Sequence, residues 1–153
     1  MDFSLSEDLQ MVRDSARQFA EEVVEPGAAE RDRTGTFPID IFKAAAEYGF
    51  TGVHVPEKYG GSGLGNLELA LILIEVNKAC ASTGVTLSVH ASLCTSVLLN
   101  DGNDEQKERI LPRLASGEWL GAYSLSEAGS GSDAAALICT AQADGDDFVV
   151  NGT

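Results

Sequence analysis

Ala122-Tyr123-Ser124-Leu125-Ser126-Glu127-Ala128-Gly129-Ser130-Gly131-Ser132-Asp133 is the stretch on which the reading of this chain turns. Eight of these twelve residues are Gly, Ala or Ser; an aromatic precedes most of them and an acid closes the run. Glycine and serine at this density let backbone amides approach a ligand with no Cβ in the way. The hydroxyls add donors and acceptors for ring heteroatoms or phosphates. The stretch also follows a change of character. Up to residue 117 the apolar residues recur mostly at helical spacing, whereas beyond it short strand-like runs take over.

Working back from it, residues 4 to 25 read as an amphipathic helix. Ser4 and Glu7 fit a capping box, and Leu5, Leu9, Val12, Ala16, Phe19 and Val23 keep one face apolar. Glu25-Pro26-Gly27 ends it, and Glu30 to Gly35 reads as a polar link. Pro38 suits the first turn of a second helix, with Ile41, Phe42, Ala45 and Ala46 inward and Gly49 as its stop. Pro56 to Gly65 is a loop by composition. Its glycines match neither the dinucleotide nor the P-loop spacing, so a structural turn is the better reading than a phosphate cradle.

Residues 66 to 82 are apolar almost all round, which predicts a helix buried on most sides. Val85, Leu87, Val89, Ala91 and Leu93 alternate with small polar residues and His90, as in a strand. Extended through Leu99, the same segment serves as a buried helix, and periodicity leaves both open. Asn103-Asp104-Glu105-Gln106 opens a further helix with acids in its first turn, closed by Gly117. Trp119 to Leu125, Ala136 to Ala143 and Phe148 to Val150 read as strands, the last two joined by a turn at Asp144-Gly145-Asp146-Asp147. So small a sheet is marginal alone and leaves an edge bare, which predicts a chain that stops within a domain.

Composition narrows the function classes. A formal net charge of −14 argues against nucleic acid as a partner, because phosphate backbones require basic patches. No uninterrupted apolar run reaches about 18 residues, so no membrane span is expected. The acidic N-terminus lacks a signal core or an Arg-rich transit pattern, and a cytoplasmic protein is expected. Cys80, Cys94 and Cys139 show no CxxC spacing and read as reduced thiols. There is no GxSxG, and the only histidines are His54 and His90. His90 and Cys94 stand four apart, a helical spacing open to a metal pair or a nucleophile dyad. Two ligands do not make a metal site, and a core histidine beside a buried thiol is the preferred reading.

The glycine- and serine-rich stretch resembles the flavin-binding signature of the acyl-CoA dehydrogenases, which runs aromatic-x-hydrophobic-Ser/Thr-Glu-x-x-x-Gly-Ser-Asp. Pro56 to Gly63, His90 to Cys94, Gly102 to Lys107 and Asp144 to Thr153 are similar to further stretches of that family, the second of them to its short-chain branch. The resemblance implies a mainly α fold: an N-terminal helical domain over 1–117, then the incomplete start of the middle β-domain over 118–153. It also implies that residues 85 to 99 are helix.

By position it places Tyr123, Leu125, Ser126, Gly131 and Ser132 at FAD, with Ser126 on the N1/O2 edge of the ring, where a donor stabilises the reduced form. Ser132 and Leu93 would meet the acyl-CoA substrate, Leu93 setting chain length by its bulk. Ala128 replaces the family's usual Pro. The implied reaction is α,β-dehydrogenation of an acyl-CoA thioester, with electrons passing to an electron-transfer flavoprotein and a homotetramer as the assembly. The family's catalytic glutamate belongs to its C-terminal helical domain, so no catalytic residue is assigned here and Glu127 reads as structural. The rival readings are an acyl-CoA oxidase or flavin monooxygenase on the same scaffold, and a non-catalytic fragment or split subunit.

Overall fold

The first helix is capped by Ser6 and not by Ser4. In the computed structural model, which describes residues 4–152, the Ser6 hydroxyl accepts the Leu9 N–H at 3.3 Å and helix α1 runs Glu7–Phe19. A π-helical turn, Ala20–Val24, continues it, with the Glu25 N–H bonded to the Ala20 carbonyl at 2.8 Å. That wider turn adds one residue to the repeat. Val24, five residues beyond Phe19, is therefore the fully buried position, while Val23, at ordinary helical spacing, is only partly buried.

The polar link expected over Glu30 to Gly35 is instead a short helix, α2 (Ala28–Thr34), bounded by left-handed glycines at Gly27 and Gly35. Arg31 explains it. Its guanidinium donates to the Pro26 carbonyl at 2.8 Å and to the Val24 carbonyl, satisfying the open end of the preceding helix. Helix α3 (Ile39–Glu47) buries Ile41, Phe42 and Ala45. It stops at Gly49, where φ is +77° and the Phe50 N–H returns to the Ala45 carbonyl.

Helix α4 (Asn66–Ala79) packs along α1 and buries Leu69, Ile72 and Val76. The expectation of burial on most sides does not hold within the described residues: Leu67 and Ile74 are each 52% exposed. The buried face instead takes in Glu75, which meets Lys78 at 2.9 Å and Arg17 at 3.5 Å. Burial pushes this carboxyl up, but hydrogen bonds and charge from Lys78 and Arg17 outweigh it and hold the group below the ordinary carboxylate value.

The ambiguous segment is helical. Helix α5 (Ala81–Ser88) passes through a π-helical stretch, Val89–Thr95, into α6 (Ser96–Asp101). Thr95 Oγ1 donates to the His90 carbonyl at 2.7 Å and Ser96 Oγ to that of Ala91 at 3.1 Å. These bonds serve carbonyls of the wider turn. This 21-residue helix, Ala81–Asp101, is also long and apolar enough to cross a membrane by length and composition alone. The expectation of no span rests on uninterrupted apolar runs, and interleaved Ser, Thr and His residues keep this segment from being one. Leu87, His90, Ala91 and Thr95 are core residues, and core helices meet the same test. Helix α7 (Asp104–Ala115) has the expected start: Asn103 and Gln106 exchange capping-box bonds at 2.8 and 2.9 Å. Gly117 follows it at φ +70°.

One core joins Phe19, Phe42, Phe50, Ile72, Val76 and Leu87; a second gathers Val55, Tyr59, Leu111 and Ala115. The chain divides into two compact units between Ala122 and Tyr123. The second unit holds an antiparallel hairpin, β1 (Thr140–Asp144) with β2 (Asp147–Asn151), in which Thr140 faces Asn151 and Asp144 faces Asp147. Gly145 has φ +63° and Asp146 does not share the left-handed region, the pattern of a type II′ turn. The strand expected from Ala136 starts only at Thr140, because Ala134–Ala136 forms a 3-10 turn. Trp119 to Leu125 is not a strand, since no described segment pairs with it. Its first residue belongs to the end of α7 instead: the Trp119 N–H bonds the Arg113 carbonyl and the Arg113 guanidinium lies 4.6 Å over the indole.

Candidate functional site

The glycine- and serine-rich stretch folds around a tight turn. The Glu127 N–H bonds the Ser130 carbonyl at 2.8 Å, and the Ser130 N–H returns the bond at 3.1 Å. Ser130 is the one buried residue of this unit among those described, and its hydroxyl donates to the Asp133 carbonyl at 2.8 Å. Both Glu127 carboxylate oxygens are engaged, one by the Ile138 N–H and one by the Cys139 N–H, each at 2.9 Å. Glu127 thus ties the approach to β1 back onto the turn, a structural task for both of its oxygens.

The residues picked out by sequence surround this turn and are spent differently. Tyr123, Leu125, Ser126, Gly131 and Ser132 are all exposed. The hydroxyls of Ser126 and Ser132 make no hydrogen bond among the described residues. A Cβ at Gly131 would meet nothing within 4 Å, and its φ is not positive, so nothing inside this unit demands glycine there. Open glycine, unused hydroxyls and exposed apolar side chains fit a ligand held from outside the chain. Leu93 belongs to the helical unit, where it is 39% exposed on the π-helical stretch.

Within the helical unit, His90 organises the backbone leading to this stretch. Its ring is fully buried and packs edge-on to Phe42 at 5.0 Å. Nδ1 accepts the Gly121 N–H at 2.9 Å, which puts the ring proton on Nε2, donated to the Leu114 carbonyl at 3.2 Å. Both nitrogens are occupied, so the His90–Cys94 spacing is that of a structural histidine with no lone pair left for a metal. A Cβ at Gly121 would fall 2.7 Å from the Cys94 sulfur and 3.1 Å from His90 Nδ1, so glycine is required for this approach. Neither Gly121 nor Ser130 stands out by type or spacing in the sequence.

A model of one family, described as "Acyl-CoA dehydrogenase, N-terminal domain", matches residues 6–118. The chain belongs to the acyl-CoA dehydrogenase family. It is 42% identical over its whole length to the short-chain specific acyl-CoA dehydrogenase of Clostridium acetobutylicum, of which it covers 40%. It matches a chain in a solved structure of the electron transferring flavoprotein of Acidaminococcus fermentans with a TM-score of 0.94 and 40% identity, over 99% of this chain and 40% of that one. An acyl-CoA dehydrogenase of Bacillus anthracis solved in complex with FAD matches with a TM-score of 0.85 and 35% identity, over 97% of this chain and 26% of that one. The chain therefore spans about 40% of the length of the curated relatives it matches. The helical reading of residues 85 to 99 taken from the resemblance agrees with the helix found here.

His90 carries a pH prediction. Burial drives its pKa below the ordinary imidazole value, and the backbone carbonyl contacts only partly offset that. The unfolded chain then binds the extra proton more readily than the folded one, so stability rises with pH across this window. The His90 contribution is complete above about pH 6.5, the unfolded imidazole pKa, and is lost as pH falls from there toward the folded value. Urea midpoints at pH 7.5 and pH 5.5 should therefore differ more for the wild type than for His90→Gln, which can donate and accept at similar places without titrating. Equal pH slopes for the two proteins would show that His90 does not titrate on unfolding.

Proposed function

We propose that this chain is the N-terminal, flavin- and substrate-contacting portion of an enzyme that dehydrogenates an acyl-CoA thioester at the α,β-bond, using FAD and passing electrons to an electron-transfer flavoprotein. One observation carries the reading: in a chain that aligns over its whole length with 40% of a short-chain specific acyl-CoA dehydrogenase, the signature turn leaves the Ser126 and Ser132 hydroxyls unused among the described residues. Its own internal bonds are made by Glu127 and Ser130.

FAD, when bound, supplies a two-electron acceptor for the hydride equivalent that leaves the β-carbon. The chain's contribution is to hold and orient. Ser126 donates its hydroxyl to the edge of the ring where charge accumulates on reduction, favouring the reduced product. Tyr123 and Leu125 cover the ring with apolar surface and keep water away from it. Gly131 allows close backbone approach, and Ser132 offers a hydroxyl at the junction of cofactor and substrate. Leu93 limits the length of the acyl chain. No residue of this chain serves as the base. With a net charge of −14, long-range attraction contributes nothing to the binding of two anionic ligands, so these local donors must supply it.

The test is a visible spectrum of the purified protein followed by anaerobic titration with butyryl-CoA. The expected result is a flavin band, which bleaches on titration only where a longer chain or a partner supplies the base. Ser126→Ala should weaken FAD binding about tenfold, the loss of one hydrogen bond worth roughly 1.5 kcal/mol. A colourless protein that takes up no added FAD, or a Ser126→Ala variant with unchanged affinity, would overturn the assignment.

A further inference from the structure

Residues 117–122 lead from the end of α7 to the signature stretch with no strand beside them among the described residues. Backbone of this kind must find other partners for its amides or leave them to water. Here the helical unit holds it at every second residue. Gly117 has φ +70°, and a Cβ there would fall 2.6 Å from that of Ala46. The Trp119 N–H bonds the Arg113 carbonyl at 3.0 Å. The Gly121 N–H bonds His90 Nδ1 at 2.9 Å, across 31 residues of chain. That last hold stands two positions before Tyr123.

His90 is itself fixed. Its ring has no exposed surface, lies edge-on to Phe42 and donates from Nε2 to the Leu114 carbonyl. That carbonyl has a second donor in the Gly117 N–H at 3.1 Å, so the end of α7 does not depend on the histidine. The Gly121 amide has no other acceptor among the described residues. Cys94 closes the opposite side, its sulfur 2.7 Å from where a Gly121 Cβ would stand. Both walls of this slot belong to the π-helical stretch Val89–Thr95, which also carries Leu93.

We propose that His90 is a positioning residue for flavin binding, fixing through Gly121 the point from which Tyr123, Leu125 and Ser126 depart. This role rests on the flavin reading given above. A hydrogen bond from Ser126 to the flavin weakens steeply once distance or angle drifts, so a wandering start at residue 121 lowers affinity. Buried on all sides, His90 acts on the cofactor only through the backbone.

The full chain is tested in two states: without flavin, by amide exchange read by mass spectrometry, and with FAD, by binding titration and visible spectrum. His90→Leu should keep its helical circular dichroism. It should exchange the amides of residues 120–123 about tenfold faster, with α1 and α4 unchanged, and bind FAD about tenfold more weakly. In His90→Asn the Oδ1 stands as many bonds from the backbone as Nδ1 and can accept the Gly121 N–H, but nothing replaces the Leu114 bond. Both readouts should then stay within about twofold of the wild type. Gly121→Ala keeps His90 and displaces the backbone, so it should repeat the His90→Leu result, and it decides the matter if His90→Leu does not fold. A His90→Asn protein as weak as His90→Leu would make the Leu114 bond the important one and overturn the role. So would faster exchange throughout the helical unit. Wild-type FAD affinity in a folded His90→Leu or Gly121→Ala protein would sink this role alone, whereas a wild-type chain that takes up no FAD would sink the flavin reading and this role together.

Discussion

A Gly61→Ala protein should unfold with a loss of about 3 kcal/mol, the upper range for forcing a methyl into packed structure. The added Cβ would overlap the carbonyl oxygen and Cβ of Val55. Neither atom can step aside cheaply. The Val55 carbonyl accepts the Gly63 N–H at 2.9 Å, the Val55 N–H donates to the Gly52 carbonyl at 3.1 Å, and the side chain is fully buried against Leu111 and Tyr59. The glycine-rich loop folds back along residues 52–55 through two further bonds, Ser62 N–H to the Gly52 carbonyl at 2.9 Å and Leu64 N–H to that of Val53 at 2.7 Å. Accommodating alanine means unseating this return and with it the second core. Gly129→Ala is the control: its Cβ meets nothing within 4 Å, so a change within about 0.5 kcal/mol is expected. Urea melts of both variants decide the matter, and equal midpoints for Gly61→Ala and wild type would refute the account.

That loop shows what the sequence could and could not convey. Glycine spacing there was enough to prefer a turn over a phosphate cradle, because the known cradles need fixed intervals between their glycines. Which glycine is indispensable was not legible, since the constraint at Gly61 comes from Val55, placed against it only by the fold. The same division runs through the helices. Periodicity and caps located α3, α4 and α7, whose signals are local. The π-helical turns were invisible, because one inserted residue moves burial from Val23 to Val24 without changing composition. Glu75 is hidden inside an apolar run, as Lys78 is its neighbour along α4 but Arg17 becomes a partner only when α1 and α4 pack.

The candidate site was legible to a different degree. Small residues after an aromatic mark a candidate ligand-facing backbone, and Ser126, Gly131 and Ser132 are exposed. Pattern did not separate the residues facing outward from those that build the turn, since Ser130 and Ser132 are the same residue type two positions apart. Hydrogen bonding separates them: Ser130 is spent on Asp133, and Ser132 is unspent. Strand-like composition over Trp119 to Leu125 misled because extended backbone becomes a strand only beside a partner.

Phe19→Ala should be the most damaging single change to the helical unit, costing about 3–5 kcal/mol as is usual for an aromatic removed from a core. Phe19 has no exposed surface and stands where α1 passes into its π-helical turn. Its ring meets Tyr48 at 5.1 Å and Phe50 edge-on at 5.5 Å, geometries that add attraction beyond buried area. The core cluster it belongs to draws on α1, α3, α4 and α5. Phe19→Leu keeps most of the volume and should lose less than about 1.5 kcal/mol. Denaturant melts with an unchanged slope would assign the whole difference to the folded core. If alanine cost no more than leucine, the site would be yielding enough to close over the cavity.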